Sequence, residues 1–125
     1  MFEIKIKTDF SAAHNLLEIG GKCESLHGHN FTVEVTVESE TLDERGLVMD
    51  FRLLKAKTKE VLASLDHRYL NELPIFIGKN PSSENLANYI FTELSPGVDG
   101  KTYRVSRVSV WESETSQATY TGPGK

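Results

Sequence analysis

The strongest constraint on this chain is a period-two alternation at its N-terminus. From Phe2 to Ala12 the even positions read Phe2, Ile4, Ile6, Thr8, Phe10 and Ala12, and the odd ones Glu3, Lys5, Lys7, Asp9 and Ser11. Successive side chains of an extended chain point to opposite faces, so this pattern predicts a half-buried strand. A second such strand is predicted through Phe31, Val33, Val35 and Val37, with Thr32, Glu34, Thr36 and Glu38 on its other face. Between them, Asn15 to Gly28 contains Gly20-Gly21 and no clear period, which reads as a loop. Beyond Asp50, a plausible N-cap, Phe51, Leu54, Thr58, Val61, Leu62 and Leu65 recur at helical spacing. Asp66 to Pro81 reads as a long connection. Ser82 or Ser83 can cap a second helix burying Leu86, Ala87, Ile90, Phe91 and Leu94 and ending at Ser95-Pro96-Gly97. Tyr103 to Glu112 and Gln117 to Thr121 read as two further strands, and the tail Gly122 to Lys125 is expected to fray. The order is β-β-α-α-β-β. The expectation is an α+β fold, a four-stranded antiparallel sheet with two helices on one face, in a single domain over residues 1–125. Free sheet edges in so short a chain predict pairing with other copies.

The chain has 125 residues, 38% of them hydrophobic, which supplies one core. Lys and Arg number 14 against 18 Asp and Glu, a net charge of −4 with no basic run, so no nucleic-acid partner is expected. No stretch approaches the ~18 apolar residues of a membrane span. Met1-Phe2-Glu3-Ile4-Lys5 alternates apolar and charged residues and does not read as a signal peptide. A single cysteine excludes an intrachain disulfide and makes a reducing, cytoplasmic setting the expectation.

The chemistry gathers at the ends of the first two strands. His14 has the apolar parity of the first strand; His27 and His29 have that of the second. In an unbulged hairpin the three imidazoles converge on one face. They are then either a three-histidine site suited to Zn²⁺ with an open fourth position, or separate, partly buried histidines with backbone partners. Cys23, in a polar loop, is either a fourth ligand that closes such a site or a nearby thiolate acting as base or nucleophile. A small buried hydrophobe, the ordinary role of a lone cysteine, fits that polar loop less well. Asp66-His67 is either a carboxylate–imidazole pair able to relay a proton or a histidine placed near a helix C-terminus. Glu112, at a strand end, is either solvated or an acceptor for the N–C–N edge of a guanine-like or pterin ring. Glu84 is most simply a first-turn helix acid.

Six segments carry a resemblance: Phe10-Ser11-Ala12-Ala13-His14, Cys23-x-x-x-His27-Gly28-His29, Val48-Met49-Asp50-Phe51, Leu65-Asp66-His67, Asn80-Pro81-Ser82-Ser83-Glu84-Asn85 and Trp111-Glu112. In this order they resemble the 6-pyruvoyl-tetrahydropterin synthase family, whose bacterial branch is the 6-carboxytetrahydropterin synthase of the queuosine pathway. The resemblance implies the tunnelling fold and a hexamer built as a dimer of trimers, with active sites at subunit interfaces. It implies that His14, His27 and His29 bind Zn²⁺, that Cys23 is the general base, and that Asp66 and His67 of a neighbouring subunit activate it. It further implies that Glu112 anchors the pterin ring and takes part in the proton relay. Ser82, Ser83 and Glu84 then line the pterin pocket, with Ser82 in place of the family's usual Thr.

The implied activity is a zinc lyase that converts 7,8-dihydroneopterin triphosphate to 6-carboxytetrahydropterin, acetaldehyde and triphosphate. Related products, 6-pyruvoyl-tetrahydropterin or 6-hydroxymethyl-dihydropterin, are the alternatives within the family. A structural zinc module is the alternative outside it. Glu24 beside Cys23 bears on the choice, because one branch uses a Glu near this position as its base; an ordinary loop carboxylate is the reading favoured here.

Overall fold

In the computed structural model, residues 1–18 and 21–123 are described, with the backbone alone of Lys22 and Cys23. The last residues of the expected frayed tail, Gly124 and Lys125, lie outside them, as does the Cys23 side chain. The elements are β1 (Phe2–His14), β2 (His27–Ser39), α1 (Phe51–Leu62), β3 (Arg68–Tyr69), α2 (Ser83–Val98), β4 (Tyr103–Ser113) and β5 (Ser116–Tyr120). They form one sheet in the order β3-β1-β2-β4-β5.

The alternation read from the sequence is the burial pattern of the sheet. Ile6, Phe10, Phe31, Val33, Val35, Val37, Val105, Val108 and Val110 form the inner face. They pack with Leu54 and Leu62 of α1 and with Leu86, Ala87, Ile90 and Leu94 of α2. The opposite face is polar and cross-linked between strands: Lys5 pairs with Glu34 at 3.3 Å, and Trp111 Nε1–H donates to Glu34 at 3.0 Å. Among the described residues no helix is long and apolar enough to cross a membrane.

Three expectations need correction. The hairpin is longer than the apolar run suggested, because β1 and β2 stay paired out to His14 opposite His27. The sheet has five strands, not four, and is not wholly antiparallel: β3 pairs parallel to β1 at Ala12–Arg68 and Ala13–Tyr69. Two residues are too few to leave an alternation signal. The pairing is set instead by Ser11, whose N–H donates to Asp66 Oδ1 at 3.0 Å and whose carbonyl accepts the His67 N–H at 2.6 Å. His67 turns there at φ 59°, a left-handed conformation unusual for a residue with a side chain. Finally, α2 continues through Pro96 to Val98. A proline removes one N–H, and near a helix end that loss is offset by the burial of Val98 and by the Asp99 N–H bond to Ser95 O at 2.8 Å.

Helix starts are capped as the sequence indicated. Asp50 accepts from the Arg52 N–H at 2.8 Å, and the same guanidinium, 2.7 Å from its other oxygen, helps hold the carboxyl down at about 2. Ser82 Oγ accepts the Asn85 N–H at 3.1 Å.

Phe31 ties the core to what lies at the hairpin's end. It is fully buried, stacks on Phe10 at 4.9 Å and meets His14 edge-on at 5.4 Å and His29 at 5.3 Å. Phe31→Ala is expected to cost about 3–5 kcal/mol, typical of a large-to-small change at a closed site, read as a lower urea midpoint at an unchanged m-value.

Candidate active site

The thirteen-residue β1 meets β2 without a register shift, placing His14 directly opposite His27 and Ala12 opposite His29. All three imidazoles therefore project from the inner face at one end of the sheet. Their ring centroids lie 4.6–5.1 Å apart, each pair edge to face.

Two backbone carbonyls orient two of the three rings. His14 Nδ1 lies 2.8 Å from the Pro81 carbonyl and His27 Nδ1 lies 2.6 Å from the Ser25 carbonyl. A carbonyl can only accept, so in each of these two rings Nδ1 carries a hydrogen and donates it. Burial also holds His14 and His29 below the ordinary imidazole value, opposed by the Pro81 carbonyl at His14 and by the Glu112 carboxylate at His29. Neighbouring imidazoles add to the lowering in both cases. The Nε2 atoms of His14 and His29 are buried and have no hydrogen-bond partner. An unpaired buried lone pair is costly unless something else binds it. The fit to a metal ion is direct: three imidazoles converge on one place, and two of them, His14 and His27, are hydrogen-bonded at the far nitrogen.

Glu112 is the addition that sequence reasoning kept apart. Its ligand atom and those of the three histidines all lie within 4.8 Å of one another. Glu112 Oε1 is 3.4 Å from His29 Nε2 without hydrogen-bonding geometry, while Oε2 accepts from Ser83 Oγ–H at 3.3 Å. For bonds of ~2.0–2.1 Å, tetrahedral donors are spaced by about 3.4 Å, which is the separation of this carboxylate from His29. Its parity with the inner-face residues Val108 and Val110 was the available signal; the pairing of Val110 with Val33 then carries the next inner position of β4 toward Phe31.

The remaining candidates fall into two places. Ser83, Glu84 and Glu112 border a cleft of about 430 Å³ with Gln117 and Thr119 of β5. Ser82 stands next to it with its oxygen engaged as the α2 cap. Asp66 and His67 do form a pair, carboxylate to ring Nδ1 at 3.0 Å, and Asp66 is held below its usual range first by the Ser11 N–H and then by His67. This pair is not part of the histidine cluster. The His67 side chain is 82% exposed, on a groove at the sheet end that His29 also borders. Cys23 follows Lys22 in a short 3₁₀ turn, Gly21–Glu24, and its thiol lies outside the described atoms.

The solved structure of Caenorhabditis elegans 6-pyruvoyl tetrahydropterin synthase matches this fold with a TM-score of 0.83 and 29% identity, covering 98% of this chain and 96% of that one. This is an α+β tunnelling fold, and the chain is an enzyme, a lyase. The family profile described as 6-pyruvoyl tetrahydropterin synthase matches residues 3–123, and the chain belongs to that family. A 6-carboxy-5,6,7,8-tetrahydropterin synthase of Synechocystis is 41% identical over 130 residues, 98% of this chain and 95% of the relative. A dihydroneopterin monophosphate aldolase of Pyrococcus furiosus is 39% identical over 107 residues, 85% of each.

The lowered histidines set a pH dependence. His14 and His29 sit below 6.5 when folded, so the unfolded chain binds more protons in the acid range. Stability of the metal-free protein should be level above the ordinary imidazole value and fall as pH drops through the lowered ones. Urea midpoints taken at about pH 7.5 and about pH 5.5 check this, and His14→Gln should flatten the difference.

Proposed function

We propose that the chain is a zinc-dependent 6-carboxy-5,6,7,8-tetrahydropterin synthase, converting 7,8-dihydroneopterin triphosphate to 6-carboxytetrahydropterin, acetaldehyde and triphosphate. The observation that carries this reading is the convergence of His14, His27, His29 and Glu112, with two buried imidazole nitrogens left unpaired, in a chain of this family. Three imidazoles and a carboxylate suit Zn²⁺. Bound by His14, His27 and His29, it would act as a Lewis acid toward the hydroxyls of the substrate side chain and acidify the neighbouring C–H.

The chain's own groups supply the rest. Cys23 takes the proton as thiolate. The Asp66 carboxylate orients the exposed His67 ring, which lies outside its own histidine cluster on the open groove that His29 borders. That placement supports a relay delivered to the Cys23 of another subunit in a hexamer, a dimer of trimers. Glu112 accepts the N–C–N edge of the pterin ring, steadied by Ser83 Oγ–H, while Glu84 borders the same cleft and Ser82 stands next to it. The same carboxylate lies 3.4 Å from His29 Nε2 and would be a further ligand for the ion when no substrate is bound. The product would feed queuosine biosynthesis in the cytoplasm, and the chain would act as one domain over residues 1–125.

A second reading is an aldolase giving 6-hydroxymethyl-dihydropterin, favoured by Glu24 next to Cys23 and by the Pyrococcus relative. Incubation of the zinc-loaded protein with dihydroneopterin triphosphate should yield a pterin with the mass of the 6-carboxy compound; the hydroxymethyl mass would instead establish the aldolase. Cys23→Ala should retain a full equivalent of zinc and lose at least ~10²-fold in kcat, the scale of general-base catalysis. His14→Ala, His27→Ala and His29→Ala should each lose zinc, measured by metal analysis after dialysis.

A further inference from the structure

Asn15 to Glu18 leaves the metal site and leads toward Cys23, and side chains rather than a neighbouring strand hold its backbone. Asn71 accepts the Asn15 N–H at 3.0 Å through Oδ1 and donates to the Asn15 carbonyl at 2.9 Å through Nδ2. Asn80 does the same to Leu17, accepting its N–H at 2.8 Å and donating to its carbonyl at 3.0 Å. A primary amide presents an acceptor oxygen and an N–H donor side by side in one plane, so each asparagine imitates the peptide of an adjacent strand. Glu24 Oε1 then accepts the Glu18 N–H at 3.0 Å, bridging the two ends of the loop that holds Cys23. Glu18 has φ 67°, a left-handed conformation that costs a residue with a side chain and needs surrounding contacts to maintain it.

Asn80 also stands beside the metal site. Its own carbonyl accepts Asn85 Nδ2–H at 2.7 Å, and the next residue, Pro81, accepts the His14 Nδ1–H. One short segment therefore fixes both a histidine of the cluster and the outgoing leg of the Cys23 loop.

We propose that Asn80 and Glu24 are positioning residues for the Cys23 base: Asn80 sets the leg of the loop against His14, and Glu24 latches its mouth through the Glu18 N–H. This rests on Cys23 being the base. It assigns Glu24 a structural task that needs an acceptor oxygen and no proton transfer.

The test compares zinc-loaded wild-type, Asn80→Ala, Glu24→Ala and Glu24→Gln proteins, with turnover of dihydroneopterin triphosphate scored on whichever pterin the wild type releases. Gln keeps an oxygen at the Glu24 position and removes its basicity. Glu24→Gln should keep kcat within about threefold, whereas Glu24→Ala and Asn80→Ala should lower it about 10–100-fold, the effect of a misplaced catalytic group. KM and zinc content should change little, and amide exchange at Leu17 and Glu18 should quicken only in the two Ala variants. Glu24→Gln as inactive as Glu24→Ala would overturn the proposal and make the carboxylate itself the base. Wild-type kcat in both Ala variants would also overturn it. Should Asn80→Ala fail to fold, the Glu24 pair alone decides the outcome. A wild-type protein inert toward this substrate would instead remove the functional reading on which the proposal rests.

Discussion

The register of the β1–β2 hairpin is the constraint on which the rest depends. The two strands stay in step from Phe2–Ser39 to His14–His27, with no bulge over that length. Side-chain direction in a strand has a period of two, so a slip by one residue on either strand would turn its apolar set out to solvent. The same slip would separate the histidines. Burial of Ile6, Phe10, Phe31, Val33, Val35 and Val37 thus fixes the position of three imidazoles at the end of the same face. Phe31 is the physical link, packed on Phe10 on one side and against two imidazole rings on the other.

Placing polar rings at the end of an apolar face would be unfavourable without the surrounding hydrogen bonds. The Pro81 and Ser25 carbonyls each take one ring hydrogen, and desolvation disfavours charge on His14 and His29. What remains unsatisfied is concentrated on lone pairs aimed at a common point. Much of the connection from Asp66 to Pro81 does polar work of this kind. Asp66 and His67 complete the outer edge of β1 at Ser11, Asn71 and Asn80 hold the chain beyond β1, and Pro81 orients His14.

Here a cysteine and a glutamate are adjacent in sequence, and the hydrogen bond from the Glu18 N–H gives the glutamate a task within the loop. Glu112 joins the histidine cluster to the cleft: one carboxylate oxygen faces His29 and the other accepts from Ser83.

The alternation at Phe2–Ala12 and Phe31–Val37, the caps at Asp50 and Ser82 and the shared parity of His14, His27 and His29 were legible in the sequence because each is a local periodic or capping signal. The hairpin's full length was underestimated because histidine is not an apolar marker. β3 was missed because two residues have no period, and its pairing comes from hydrogen bonds to Ser11 more than fifty residues away. Glu112 showed the right parity, but only the pairing of β4 with β2 determines that it faces the histidines. The asparagine grips left no sequence signal, since an amide that replaces a neighbouring strand is defined by what lies opposite it. The amino-acid sequence by itself determined which faces are buried and which residue types could bind a metal. Tertiary structure alone decided which nitrogens are free, which carboxylate meets them and what holds the Cys23 loop, because those depend on contacts between segments distant in the chain.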